Sequence, residues 1–161
     1  MTTTISLTAE TLARLDISSV QQYIDGLQAK GKVSQLDEAL RFDINYPKEP
    51  TDPRELSEIP EIRLWFIRLN VCYPWLPFIL DWESGELARY TAMLVPHQFS
   101  VSDGIQYNPE ALEIFVMEKI FVITEWMQQE GTARRQKLKL MTKSLGYEID
   151  DAFFDLIEFS G

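Results

Sequence analysis

The sequence IPEIRLWFIRLNVCYPWLPFILDW, residues 59–82, contains the pattern that decides the fold. Apolar residues recur in its first half at three- and four-residue spacing, namely Ile62, Trp65, Phe66 and Leu69. This spacing places them on one face of a helix, and Pro60 suits the first turn because an N–H there would have no helical partner. The pattern therefore predicts a helix from Pro60 to about Asn70.

The segment that follows combines prolines, aromatic residues and a polar loop. Residues 78–82 and 87–95 are mostly apolar, and they flank the sequence ESGE at 83–86, whose glycine suits a tight turn. This arrangement predicts two antiparallel strands joined as a hairpin. A helix that starts at Ser84 is the competing interpretation of the second half.

The N-terminal third predicts a helix, a strand and a loop. Apolar spacing between residues 20 and 27 predicts a helix from a Ser18 cap to about Lys30, with Gly31 as its stop. Residues 38–45 alternate between apolar and polar side chains, which is the period of a half-buried strand. Residues 46–53 contain three prolines between charged spacers, a composition typical of a connecting loop.

The sequence after the aromatic block predicts a turn and a long helix. The Asp-Gly pair at 103–104 indicates the turn, and Asn108 followed by Pro109 indicates the start of the helix. Apolar residues continue the helical pattern until Gly131. The β-branched run at 120–124 is a point at which this helix can break into two pieces.

A basic helix and an acidic segment close the chain. Residues 133–145 predict an amphipathic helix that ends at Gly146, and residues 150–159 are acidic with one apolar side. The charged residues are Arg134, Arg135, Lys137, Lys139 and Lys143, then Glu148, Asp150, Asp151, Asp155 and Glu158. The two groups can neutralise one another, and a solvated basic face or an anionic partner are the other interpretations of the basic helix.

Together these segments predict an α+β fold that forms a single domain over residues 1–161. A chain of 161 residues has the usual size of one domain. In the predicted arrangement, a small antiparallel sheet packs against the helices that start at Pro60 and Pro109. The sheet is expected to contain the segments around Leu40, Phe78 and Leu87.

Charge and composition exclude several kinds of partner. Fifteen basic and twenty-five acidic residues give a net charge of −10, which repels phosphate backbones and disfavours nucleic acid. No apolar run approaches the roughly 20 residues of a membrane span, and residues 1–7 do not resemble a leader. We therefore expect a cytoplasmic protein that does not insert into membranes. Cys72 lies in an apolar run and is expected to be a small buried hydrophobe in a reducing compartment.

The sequence offers little catalytic or metal chemistry. Its one histidine and one cysteine lack the paired spacings of zinc sites, and it contains no glycine-rich phosphate loop. We expect no metal and no cofactor. The remaining enzyme hypothesis uses His97 as a general base that is oriented by Asp81 or Glu86. Its alternative is a histidine at a strand end whose nitrogens bind backbone groups.

The aromatic residues divide into two groups. Four are expected in the core because of their helical or alternating placement: Trp65, Phe66, Phe78 and Tyr90. Three flank prolines and turns, where side chains often reach the surface: Tyr73, Trp75 and Trp82. Exposed tryptophans near arginines have the composition of a protein-binding hot spot. A closed small-ligand pocket and a homodimer contact are the alternatives.

Five segments have amino-acid sequences that ordinary packing does not require. They are IPEIRLWFIRL (59–69), YPWLPF (73–78), GELARY (85–90), PHQ (96–98) and GIQYNPEALE (104–113). These segments resemble the chlororespiratory reduction six family of cyanobacteria and chloroplasts, and the resemblance spans roughly residues 55–130. It implies a non-catalytic assembly factor for the photosynthetic NAD(P)H dehydrogenase-like complex. The implied client is an iron–sulfur subunit of the connecting arm, bound in the cyanobacterial cytoplasm, the equivalent of the stroma.

The resemblance transfers no catalytic or ligand residue, so the expected site follows from side-chain chemistry. Aromatic side chains supply contact area at protein interfaces, and arginines supply directional contacts. The candidate recognition residues are Arg63, Arg68, Trp75, Trp82, Arg89, His97 and Tyr107. The basic helix at 133–145 is a second candidate surface.

Overall fold

A computed structural model describes residues 2–30, 40–132 and 134–159. The strands in these ranges are β1 (Thr3–Thr8), β2 (Leu40–Asn45), β3 (His97–Ser100) and β4 (Gly104–Tyr107). The helices are α1 (Ala9–Leu12), α2 (Ser18–Ala29), α3 (Pro60–Cys72), α4 (Glu86–Leu94), α5 (Pro109–Gln129), α6 (Arg135–Ser144) and α7 (Asp151–Phe159). This content confirms the α+β class.

The strands form two separate pairs. β1 and β2 run parallel with Ile5 opposite Phe42, and α1 and α2 lie between them in sequence, as a parallel pair requires. β3 and β4 are antiparallel and are joined at the predicted Asp-Gly turn, where Gly104 has a φ of 72°. The strand predicted at 38–45 is confirmed from Leu40 onward, and its first two residues lie outside the described ranges.

The helix predicted from Pro60 is confirmed, and it runs to Cys72, two residues beyond the expected end. Its four periodic apolar side chains are almost completely buried. The Phe66 ring packs edge-on against Phe42 of β2 with centroids 4.8 Å apart, and Trp65 lies 5.3 Å from Phe66. These contacts join α3 to the parallel strand pair. The core continues from Ile5 to Phe154 of α7, and it includes Phe78 and Tyr90 as predicted.

The predicted hairpin at 78–95 is wrong. Leu76–Ile79 forms a short 3-10 turn, and the second half is helix α4. Gly85 adopts a left-handed φ of 84° at the residue before α4, so the glycine starts a helix instead of closing a hairpin. The competing interpretation, a helix from Ser84, is close to the structure. The expected antiparallel sheet of the segments around Leu40, Phe78 and Leu87 is also wrong. Leu40 lies in the parallel pair, Leu80 adds only a single parallel bridge to Leu40, and Leu87 lies in α4.

The long helix α5 begins as predicted. The Asn108 side chain accepts a hydrogen bond from the Ala111 N–H at 3.1 Å and caps the first turn. The break considered at 120–124 does not occur, because Ile120, Ile123 and Thr124 are buried and core packing holds them in the helix.

The basic and acidic runs near the C-terminus neutralise each other in part. Arg135 of α6 pairs with three acids of α7: Asp151 at 3.5 Å, Asp155 at 2.9 Å, and Glu158. Lys139 also pairs with Asp151, at 3.3 Å. The expected mutual neutralisation is therefore confirmed for these two basic residues, and the predicted helix start at Ala133 lies outside the described ranges.

Three local predictions need correction. Ser18 is the first residue of α2 and not its cap; the carboxylate of Asp16 accepts hydrogen bonds from the Ser18 N–H and hydroxyl. Cys72 is exposed because it lies at the solvent-facing end of α3. Tyr73 is buried, and its hydroxyl donates to the Gln21 side chain at 3.0 Å. The predicted stop at Gly31 falls outside the described residues.

Membrane insertion has no support in the described helices. None of them combines the length and the apolar composition that a transmembrane span needs.

Candidate protein-binding face

Helix α3 has apolar side chains on the side that faces solvent as well as on its buried side. Leu64, Ile67 and Val71 follow each other at three- and four-residue spacing and are 56%, 39% and 73% exposed. They therefore form one continuous stripe opposite the buried face. The α3 face is defined here as this stripe together with Arg63 and Arg68.

Two of the predicted recognition residues border this stripe. Arg68 is exposed and Arg63 is half-buried, and on a helix of 3.6 residues per turn they lie on opposite sides of the stripe. Neither guanidinium forms an ion pair with any residue in the described ranges. Both remain free to make the bidentate contacts with carboxylates for which arginine is suited.

The opposite side of α3 is held rigidly by polar contacts. The Asn70 side-chain oxygen accepts hydrogen bonds from the Tyr90 hydroxyl at 2.7 Å and from the Lys119 ammonium. The Trp65 indole N–H donates to the carbonyl of Arg14 at 3.3 Å. Because these contacts fix the rotation of the helix, the α3 face is presented in one orientation without further ordering.

The two predicted tryptophans are half-buried and make internal contacts. The Trp75 ring stacks on Trp126 with centroids 5.1 Å apart and an interplanar angle of 15°. The Trp82 indole N–H donates to the carbonyl of Pro77 at 2.9 Å, and the Lys137 ammonium lies 5.6 Å from the Trp82 ring. The structure therefore gives both rings a packing role and does not bring them to the α3 face.

Arg89 and Glu86 complete the edge of strand β2. The Glu86 carboxylate accepts a hydrogen bond from the Phe42 N–H at 3.1 Å, and Arg89 donates to the Phe42 carbonyl at 2.8 Å. The two side chains also pair with each other at 3.1 Å. Glu86 is buried, and burial raises the pKa of its carboxyl despite the opposing charge of Arg89. Two side chains of α4 thus bind the Phe42 backbone groups, while the backbone at Leu80 and Asp81 pairs with Leu40 of the same strand.

His97 lies at the base of the β3–β4 hairpin and has a partner on each ring nitrogen. The Val95 carbonyl, 3.0 Å from Nδ1, can only accept, so Nδ1 donates. Nε2 then accepts from the Ser57 hydroxyl at 3.0 Å. Tyr107 donates to the Ala88 carbonyl at 3.0 Å, and its ring lies edge-on to His97. This arrangement agrees with a histidine that is satisfied structurally.

The carboxylates considered as partners of His97 are engaged elsewhere. Asp81 accepts from Arg41 at 2.6 Å and from the Ser84 N–H at 3.2 Å, and Glu86 binds Phe42 and Arg89. Within the described ranges, no carboxylate is therefore in hydrogen-bond contact with His97 to orient it as a general base.

Replacement of His97 by alanine is expected to lower the free energy of unfolding by about 1–2 kcal/mol, because it removes two neutral hydrogen bonds. Urea unfolding measures this change, and Ser57→Ala is the matched variant because it removes one of the same bonds. Cellular function should survive at temperatures where the variant is folded. A folded His97→Ala protein without cellular function would instead support a catalytic role.

Among the surface cavities bounded by described residues are two that are lined by neither Trp75 nor Trp82. One, of about 440 Å³, lies between α6 and the segment before α7; the other, of about 290 Å³, lies beside the end of α5. No group of three or more histidine, cysteine or acidic residues within the described ranges is arranged to hold a metal ion.

Comparison with known proteins gives one family match. The family model described as chlororespiratory reduction 6 matches residues 7–156, which is nearly the whole chain. No solved structure matches the chain.

Proposed function

The chain belongs to the chlororespiratory reduction 6 family, and from this membership we propose that it is a non-catalytic assembly factor. The family is linked to assembly of the NDH complex. In this proposal the client is an iron–sulfur subunit of the soluble arm of the photosynthetic NAD(P)H dehydrogenase-like complex. The protein binds that subunit in the cytoplasm, before the subunit joins the arm.

The observation that carries this proposal is the α3 face. Three exposed aliphatic side chains lie beside two arginines that form no ion pair with a described residue. This is the composition of a small protein-binding surface, in which apolar anchors supply most of the affinity and charges set the orientation. The rigid polar contacts on the other side of α3 reduce the entropy that binding would cost.

The cysteine content is consistent with a client that carries its own cluster. Iron–sulfur clusters are generally held by four cysteine thiolates, and this chain has one cysteine. We propose that it binds the client polypeptide and does not hold a cluster itself.

The double substitution Leu64→Glu and Val71→Glu tests the α3 face. Both side chains are more than half exposed, so the fold should be retained, while two carboxylates now interrupt the apolar contact. Co-purification of the immature arm subunit with the tagged protein from cells should fall by about tenfold or more. Leu156→Glu, at a site on α7 that is 69% exposed, is the matched control and should retain the client.

Two outcomes would contradict this proposal. If the wild-type protein captures no arm subunit and a deletion strain keeps normal levels of the complex, the assembly role is wrong. If the double variant captures as much client as the wild type, the role can stand but the α3 face is not the binding surface. Sedimentation of the purified protein tests the remaining alternative, in which a second copy covers this face.

A further inference from the structure

Helix α5 has a second exposed face, and its charge is opposite to that of the α3 face. Glu110, Ile114, Glu118, Phe121 and Glu125 succeed each other at spacings of four, four, three and four residues. They therefore lie in one stripe, here called the α5 face, which extends over roughly 22 Å at 1.5 Å per residue. Within it, Ile114 is 70% exposed and Phe121 is 50% exposed.

The α5 face contains carboxylates, and helix α5 itself has no accessible basic residue. The one basic residue of α5 is Lys119, and it is fully buried. Of the three acids in the stripe, Glu118 has a single ion-pair contact, with Lys119 at 3.8 Å; Glu110 and Glu125 have none within the described ranges. By contrast, the acids of α7 are paired with Arg135 and Lys139. The α5 face is therefore left negative, while the acids of α7 are partly neutralised.

The apolar positions have the spacing of a helix-packing ridge. Ile114 and Phe121 are seven residues apart, or about 10 Å along the helix axis. Side chains at this spacing face the same neighbouring helix when two helices pack together. Phe121 touches Phe153 of α7 with ring centroids 6.1 Å apart, yet half of its surface remains accessible. The two side chains can therefore anchor a second helix, with the carboxylates along its borders.

We propose that the α5 face is a docking surface for a basic amphipathic helix of a partner protein. Such a helix would place apolar residues seven positions apart against Ile114 and Phe121, and lysines or arginines against Glu118 and Glu125. Charge complementarity selects this occupant, because an acidic helix, a nucleic acid or an anionic membrane would meet uncompensated like charge. The surface is separate from the α3 face, so it adds a second contact beyond the proposed client site.

The test uses two synthetic helices and the full-length protein. Both peptides have three heptads with leucine at the a and d positions; one has lysine and the other glutamate at the e and g positions. Fluorescence anisotropy should show that the lysine peptide binds at least about tenfold more tightly than the glutamate peptide, and that its affinity falls as salt is raised.

Variants of the α5 face separate the anchors from the charges. Ile114→Ser with Phe121→Ser should weaken binding of the lysine peptide by about tenfold or more, and Ile114→Ser alone provides a variant that leaves the Phe121–Phe153 contact intact. Glu118→Gln with Glu125→Gln should weaken binding several-fold and reduce its salt dependence.

Matched controls decide whether the binding is specific. Glu49→Gln with Glu83→Gln removes the same charge from exposed positions elsewhere, and Leu156→Ser removes an exposed apolar side chain from α7. These variants should bind like the wild type, and so should Leu64→Ser with Val71→Ser on the α3 face. The proposal is overturned if the controls weaken binding equally, if the anchor variants bind normally, or if the glutamate peptide binds as well. It also fails if sedimentation shows a dimer that the anchor variants dissociate.

Discussion

Replacement of Glu86 by alanine is expected to lower the free energy of unfolding by about 3 kcal/mol, because it leaves a buried backbone donor without a partner. The Phe42 N–H donates to this carboxylate, and Arg89 pairs with it while binding the Phe42 carbonyl. Alanine removes the contacts of Glu86 with the Phe42 N–H and with Arg89. Of the two side chains, only Arg89 then still binds the edge of β2. Urea unfolding at pH 7, followed by circular dichroism, measures the loss.

Two further variants define what Glu86 contributes. Glu83→Ala, at an exposed position of the preceding loop, should change stability by no more than about 0.5 kcal/mol. Glu86→Gln keeps an acceptor for the Phe42 N–H and should remain within about 1 kcal/mol of the wild type. An alanine variant that is as stable as the glutamine variant would show that the contact to Phe42 is not needed.

The raised pKa of Glu86 predicts the direction in which stability changes with pH. Burial raises the pKa of Glu86 above its ordinary value of 4.5, so the folded chain holds this proton more tightly than the unfolded chain does. The stability linked to that proton is complete below pH 4.5 and is lost as the pH rises through the raised pKa. The free energy of unfolding of the wild type minus that of Glu86→Gln should therefore decrease as the pH rises through the raised pKa.

Replacement of Lys119 by methionine is expected to raise the free energy of unfolding at pH 7 by about 1–4 kcal/mol, because it removes a buried charge that is poorly compensated. Lys119 has no solvent exposure, its ion partner Glu118 is 3.8 Å away, and Phe115 lies below its ammonium. Methionine fills a similar volume, and Asn70 still accepts the hydrogen bond of Tyr90.

The pH dependence of this stability gain tests whether the buried charge of Lys119 is its cause. Burial lowers the pKa of the Lys119 ammonium from 10.5, with Glu118 opposing the shift. The stability linked to its deprotonation is complete above pH 10.5 and is lost as the pH falls through the lowered pKa. The advantage of Lys119→Met should therefore shrink as the pH rises through the lowered pKa toward 10.5. Lys143→Met, at an exposed lysine, should show no such change, and a less stable Lys119→Met protein would mean that the Asn70 contact outweighs the cost of burial.

Elements with a complete local pattern could be predicted from the sequence. The helix from Pro60 combined an N-terminal proline with a periodic buried stripe, and α5 combined the Asn108 cap with a proline at the first position. In these cases the local preferences and the tertiary packing favour the same structure.

Elements that depend on distant contacts could not be predicted in the same way. Apolar residues are frequent throughout 78–95, so the periods of a strand and of a helix fit this segment almost equally well. Whether its second half is a strand or a helix depends on Gly85, which precedes the first residue of α4. The residues of β1 do alternate between buried and exposed side chains, but its parallel pairing with β2 requires a crossover through α2 that no local pattern specifies.

Of the seven recognition residues expected from the sequence, Arg63 and Arg68 border the proposed α3 face, whereas the aliphatic stripe between them was not expected. Both sides of α3 are apolar, so periodicity alone cannot distinguish the buried stripe from the exposed one. That distinction is made by the neighbours of the helix, since Phe42 and Tyr90 pack against Phe66 on one side.

The contacts of Glu86 and Arg89 with Phe42 also affect how the chain behaves in a crowded cell. A strand edge with open N–H and carbonyl groups is a template for edge-to-edge aggregation, and here two charged side chains cover that template. Because a two-stranded sheet is marginal by itself, any transient opening of α4 would expose the Phe42 edge and weaken the sheet at the same time. We therefore expect variants that loosen α4 to self-associate more readily through this edge.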